Sequence, residues 1–510
     1  MKTFKNLKYL GLIALAISFT ACNDEEDFEQ FLDEPPIEAV TLPALNAGSA
    51  DFSNYVALGN SLTAGFADGS LYKISQENSM PKIMANQFAS IGGGSFTQPL
   101  MNDNTGGLLA GGSPLTGFGP RLVFDGAGPV PITNLNPGAM TTTDIVLNNP
   151  TGPFNNMGVP GAKSFHLLAP GYGNFNGLFS NPPSANPFFV RMASSSSTSV
   201  LADAMAQVPS FFSLWIGNDD VLGYALSGGD GSNPITPIAG PPGVGFDATY
   251  AALIATLTSG SAQGIVANIP DVTAIPHFTT VPHNPVPLDA ATAGAVNNAY
   301  AAYNGGLLQA ETFMLITAEE REARTITFAE SETNAVVIED ESLTDLLGLG
   351  LPNYRQATAA DLLVLTSSSF IGTLAVPGNP LTVNGVAIPL ADKWVLTPTE
   401  QAEIATATAS FNATIESQAS AAGLAFVDAN SLLNQLKNGN LPSGDYVLTS
   451  DLVSGGAFSL DGVHPTSRGY ALLANQFLKA IDAKYGSNFE ASGSLVDIGN
   501  YNTNYSAGLQ

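Results

Sequence analysis

Short apolar runs alternating with helical stretches constrain this chain more than any other feature. Residues 55–58, a run closing at 155–161, and residues 210–216, 264–269 and 425–428 are each apolar enough for a strand buried on both faces. Between them the apolar residues take helical spacing. Residues 79–90 place Met80, Ile83, Met84 and Phe88 on one face, and 246–259 also reads as a helix. Residues 399–422 align Phe411, Ile415 and Ala419, and 466–485 align Tyr470, Leu473, Phe477 and Ile481. This alternation predicts an α/β chain, a three-layer α/β/α sandwich around a five-stranded parallel sheet. Residues 199–207 and 290–311 read as further helices. Two stretches interrupt the pattern and read as insertions. Residues 92–153 are rich in Gly, Pro and Asn, without regular structure of their own. Residues 325–397 are irregular, with a strand at 335–338 and a helical turn at 360–365.

Of the 510 residues, 45% are hydrophobic and only 12% are charged, against about 25% in an average soluble chain. The formal net charge is -27. Nucleic acid is therefore not an expected partner, because phosphate binding needs clustered Lys and Arg. The sole cysteine, Cys22, excludes an internal disulfide and any cysteine-ligated metal. It follows a basic segment with Lys2, Lys5 and Lys8 and an apolar run at 9–20 that is too short to span a bilayer. Phe19-Thr20-Ala21-Cys22 resembles a bacterial lipobox, which implies a signal peptide over 1–21 and lipidation of Cys22. Asn23-Asp24-Glu25-Glu26-Asp27 resembles the acidic export signal of Bacteroidetes-type surface lipoproteins. Together they imply an outer-membrane lipoprotein at the cell surface. Residues 22–50, acidic and then Pro-rich, read as a tether, 51–485 as the folded domain and 486–510 as a tail.

The reactive residues sit where the alternation changes phase. Ser61 lies at the end of the first run, after the turn residues Gly59 and Asn60 and before a helical stretch. In open α/β sheets this position presents side chains to ligands, and the free N–H groups of a helix start face developing negative charge. A serine needs a base. Among His166, His277, His283 and His464, only His464 stands in an Asp-x-x-His pattern, with Asp461, just ahead of a helix. Asp461 would fix the imidazole tautomer and stabilise the imidazolium. Taken singly, each has a plainer role: a turn or cap serine, a capping Asp, a surface His. Asp219 and Asp220 are adjacent, which suits a glycosidase carboxylate pair poorly. His277 and His283, six residues apart, match no metal-ligand spacing and read as loop residues. Asp103 and Asp125 read as turn residues.

Four stretches in order resemble the sequence blocks of the SGNH (GDSL-type) hydrolases: Gly59-Asn60-Ser61-Leu62, Asn156 to Gly161, Gly217-Asn218-Asp219-Asp220 and Asp461 to His464. Asn60 stands where the family usually has Asp. The resemblance implies the flavodoxin-like SGNH fold and a serine esterase, lipase or acylhydrolase with no cofactor and no metal. It implies Ser61 as nucleophile, His464 as base and Asp461 as its partner. The oxyanion hole would comprise the Ser61 N–H, the Gly161 N–H and the Asn218 amide, with Gly158 as the other glycine of that block. The expected partner is an ester substrate, lipid or acylated carbohydrate, under a first insertion that covers the mouth of the site. The alternatives are an acetylesterase acting on acylated glycans, a glycan-binding lipoprotein on the same fold, and a scaffold whose insertions hold a partner protein.

Overall fold

The computed structural model describes residues 41–379, 382–438 and 441–510, so the signal segment, Cys22 and the tether up to residue 40 lie outside the described residues. Leu45–Gln510 form one compact unit. Its central sheet has five parallel strands: β1 (Tyr55–Gly59), β2 (Asn156–Gly158), β3 (Phe211–Trp215), β4 (Gln263–Ala267) and β5 (Ala425–Val427). Their order is β5-β4-β3-β1-β2. The chain starts in the interior of the sheet, runs to one edge, then crosses back past β1. The order therefore reverses between β1 and β3, where a crevice opens beyond the carboxyl ends of the strands.

The helices that matter here are α1 (Ser61–Ala64), α2 (Met80–Ala89), α3 (Asp219–Leu226), α4 (Phe246–Leu257), α5 (Ala290–Thr312), α6 (Pro398–Ala421) and α7 (Ser467–Tyr485). Side chains alternate across β3. Phe211 and Trp215 meet α2 and α7, with the Phe211 ring 5.8 Å from both Phe88 and Tyr485 and Trp215 5.7 Å from Phe477. Phe212 and Leu214 point to the opposite face, where α4 and α6 pack with Phe246 stacked on Phe411 at 4.1 Å. Both Phe211 and Phe212 are fully buried, so truncating either to Ala removes about 3–5 kcal/mol. A mixed α/β fold with helices on both faces of a parallel sheet follows from this burial.

The insertions differ from expectation. Residues 92–153 are not structureless. They hold two small hairpins, Leu109–Ala110 with Ser113–Pro114 and Leu122–Phe124 with Pro129–Pro131. Carboxylates pin the loops between: Asp144 accepts four backbone N–H bonds from Gly111, Gly112, Val146 and Leu147, while Asp103 and Asp125 close turns. The second insertion is larger than 325–397. A separate core joins Val281, Val286, Ala293, Val296 and Tyr300 to Val337, Ile338, Leu363 and Val395, so α5 belongs to it. Ala-rich α5 carries helical spacing whichever core it joins, so periodicity alone could not assign it. The strand expected at 335–338 is Val337–Glu339, paired with Tyr354–Gln356. At 360–365 an extended pair, Leu362–Leu363 with Val395–Leu396, replaces the expected helical turn.

Both ends of the domain also correct the sequence reading. Residues 45–50 are docked rather than tether, with the Ser49 N–H donating to the Tyr485 carbonyl at 2.8 Å. The stretch 486–510 is not a tail. Phe489 and Ile498 are buried in the main core. Arg121, itself fully buried, donates to the carbonyls of Tyr505, Ser506 and Leu509 at 3.1, 2.7 and 3.2 Å, tying the C-terminus to the first insertion.

Candidate functional site

Ser61 is the first residue of α1, separated from β1 only by Asn60. The turn is too tight for a side chain at Gly59, where a Cβ would lie 2.1 Å from Thr63 Oγ1 and 2.4 Å from the Trp215 carbonyl oxygen. Asn60 caps the helix by accepting from Leu62 N–H at 3.1 Å. Its amide also donates to Asp219 Oδ2 at 2.6 Å, which joins the ends of β1 and β3 across the point where the strand order reverses. Asn156 at the start of β2 donates to the Thr63 carbonyl at 3.0 Å, fixing α1 from the other side.

His464 comes from the far end of the chain, in the loop before α7. Its Nδ1 lies 2.8 Å from Asp461 Oδ2. Asp461 is heavily bonded: Oδ1 accepts from the N–H groups of Val463 and His464 at 2.8 and 2.9 Å, and Oδ2 from Gly69 N–H at 2.8 Å. Burial acts to raise this carboxyl. The imidazole of His464 and the bonds to His464 and Val463 outweigh it and hold Asp461 well below the usual carboxylate range. The loop is tied to the nucleophile side by Asp68, which accepts from Leu460 N–H at 3.0 Å and from the Tyr72 hydroxyl at 2.6 Å. Tyr470 of α7 donates to the Phe66 carbonyl at 2.7 Å, and the Phe66 ring lies 4.6 Å from the imidazole.

Ser61, Gly161, Asp461 and His464 line a single cavity of about 530 Å³ at the crevice. No hydrogen bond joins Ser61 Oγ to His464 among the described residues. Gly161 adopts φ +77°, which favours glycine, and its N–H has no partner among the described residues. Gly158 differs, lying inside β2 with its N–H bonded to Asn156 Oδ1 at 3.0 Å. Asn218 is not on the cavity wall. It is buried where α3 begins, and its side chain makes no capping bond to the helix. Both its amide atoms are buried without a partner. Unpaired buried amides are rare, because each costs about 1–3 kcal/mol.

Asp219 and Asp220 diverge as expected: Asn60 holds the first, while Ser164 N–H and Oγ hold the second at 2.7 and 2.8 Å. Burial raises the Asp219 carboxyl to about 6 against the opposing effects of Asn60 and His464.

Sequence reasoning did not place several wall residues. His277, read as a loop residue, lines the cavity, and its backbone N–H donates to the Gly462 carbonyl at 2.9 Å. Burial lowers its imidazole below the ordinary value, and its Nδ1 has no partner. Leu122 and Pro129 of the first insertion and Leu365, Thr366 and Ser368 of the second complete the wall. A smaller recess of about 180 Å³ shares Phe66, Gly69, Pro160 and Gly161 with the main cavity and is closed by Phe118, Phe188 and Gly119. Only Asp68-Gly69, a turn-type pair, carried a local signal, and nothing in it pointed to Asp461.

No family model matches the chain, and neither the curated proteins nor the solved structures yield a match.

Proposed function

We propose that this protein is a serine ester hydrolase of the SGNH type. The observation that carries the reading is one cavity wall shared by Ser61, the Gly161 N–H and the His464–Asp461 pair, assembled from opposite ends of the chain. Ser61 Oγ attacks the ester carbonyl carbon as His464 Nε2 takes its proton. Asp461 holds the Nδ1–H, which leaves Nε2 as the basic nitrogen. The N–H groups of Ser61 and Gly161 receive the negative oxygen, and the unpaired Asn218 amide, off the wall in the free protein, turns to it in the substrate complex. Collapse expels the alcohol, protonated by His464, and leaves an acyl-enzyme. Water activated by the same imidazole then releases the acid. The bond between Ser61 and His464 forms in the substrate complex, as such bonds commonly tighten there.

The mostly apolar recess beside Gly161 suits the acyl group. Its volume of about 180 Å³ is close to that of an apolar cavity of about 150 Å³ that accepts benzene, so acyl groups of about six carbons fit. Turnover of p-nitrophenyl esters of graded chain length tests the reading. We expect wild type to be labelled covalently by a fluorophosphonate and Ser61→Ala to lose both labelling and turnover. A folded wild type that turns over no ester would overturn the assignment and favour a glycan-binding role.

We propose further that a lipid on Cys22 holds the domain on a membrane. Cys22→Ser should move the protein from the membrane to the soluble fraction, because acyl chains supply the attachment. Unchanged membrane association would refute the anchor. Proteolysis of intact cells tests surface exposure separately.

A further inference from the structure

Away from the cleft, three carboxylates converge where the second insertion returns to the sheet. Glu341 follows the strand Val337–Glu339, Asp392 opens the turn Asp392–Trp394, and Glu400 lies in the first turn of α6. One oxygen from each lies within 4.8 Å of the other two. Two oxygens bound to a single calcium ion at about 2.4 Å are at most about 4.8 Å apart, so the spacing fits one ion.

The second observation is the state of the buried oxygens. Glu400 is only 2% exposed. Its Oε2 is used by the helix cap, accepting from Thr397 N–H and Oγ1 at 2.6 and 2.8 Å. Its Oε1, left to face the other carboxylates, is buried without a partner, and so is Asp392 Oδ1. Orphaned carboxylate oxygens are among the costliest groups to bury. Lys393, the neighbouring cation in sequence, has its ammonium over the Trp394 ring at 5.3 Å. The loop after α3 closes the other side, since a Cβ at Gly229 would lie 2.2 Å from Glu400 Oε1.

We propose that Glu341, Asp392 and Glu400 bind one divalent cation of the calcium class. The ion supplies the charge that the two orphaned oxygens lack, and water completes its oxygen shell. It clamps the second insertion, which supplies Leu365, Thr366 and Ser368 to the cleft, to the first turn of α6, beside the loop that follows α3. The site is independent of the ester-hydrolase reading.

The test uses the purified protein stripped with EDTA. Calcium titrated by calorimetry should bind at one site with Kd of roughly 10⁻⁶–10⁻⁴ M and raise the thermal midpoint by several degrees. Terbium bound there should emit on excitation of Trp394, two residues from Asp392. Glu341→Gln combined with Asp392→Asn should weaken calcium at least about tenfold and abolish the calcium-dependent rise in midpoint. Trp394→Phe should remove the terbium emission and leave calcium affinity unchanged, which locates the ion even if the double variant does not fold. Absence of calcium binding up to about 5 mM would overturn the proposal, leaving carboxyls that share protons. Binding unaltered in the folded double variant would overturn it equally.

Discussion

Replacing Asn218 by Ala separates a transition-state role from a structural one. In the free protein its side chain bonds to nothing, although it stands at the start of α3. Its removal therefore breaks no hydrogen bond. It relieves an unpaired buried amide worth about 1–3 kcal/mol and opens a small void that costs a comparable amount. The two effects oppose each other, so stability should change by no more than about 1 kcal/mol. If the amide donates to the developing oxyanion, its loss should lower kcat by roughly 10²–10³ with KM nearly unchanged. That is about 2.7–4 kcal/mol in the transition state, well above the expected stability change. The assay measures kcat, KM and the thermal midpoint on one preparation, with a short-chain p-nitrophenyl ester. A native-like kcat in the folded variant would remove Asn218 from the site. A midpoint that drops steeply, with activity falling only as the folded fraction, would refute the energetic argument.

Two further substitutions test the cavity and its charge. Gly119 lines the recess, and a Cβ there meets nothing within 4 Å, so Gly119→Phe should fold and fill the space. At about 0.8 kcal/mol per buried methylene, the hexanoate-to-acetate ratio in kcat/KM should fall at least about tenfold, and an unchanged ratio would place the acyl chain elsewhere. Asp219, raised from 3.8 to about 6, favours the folded state most below pH 4, and that stability is lost as pH rises through about 6. Asp219→Asn keeps the acceptor for Asn60 and lacks the charge. It should be more stable than wild type at pH 8 by about 1–2 kcal/mol, the full shift being reduced by water at its open edge, with the gain vanishing near pH 4. Denaturation at both pH values decides, and an equal difference at the two would exclude the charge as its cause.

What could be read from residues alone was local. The run at 55–58, the turn at Gly59-Asn60 and the start of α1 follow from neighbours in sequence, and so do the apolar run of β3 and the helical face of α7. Asp461 and His464 are three residues apart, so their pairing was also a local reading, and it stands at 2.8 Å. The strand order was open, because a chain of alternating strands and helices can be wound in more than one way. Only the packed sheet sets β3 beside β1 and so brings Asp219 to Asn60.

Residues with weak local signatures were decided entirely by tertiary contact. Asp68 and Gly69 bond to the loop of Asp461 across nearly four hundred positions, a partnership that periodicity cannot encode. His277 reaches the cavity because it sits in the short helix Pro276–Thr279, whose N–H at His277 bonds to the Gly462 carbonyl, and α5 leaves the main core because Val337, Ile338 and Val395 offer it another. The stretch 486–510 resembled a tail because its apolar residues are scattered among Gly, Ser and Asn without strand or helix spacing, although Phe489 and Ile498 reach the main core and the last residues are anchored separately. They are held through backbone carbonyls, which every sequence has, by the guanidinium of Arg121. Sequence by itself determined the five strands of the central sheet, the helices packed on them and the reactive residue types, since these depend on side chains a few positions apart, whereas the short pairs inside the insertions did not follow from it. The tertiary structure decided which of them share a cavity, since that depends on where buried surface and unpaired polar groups find partners from distant parts of the chain.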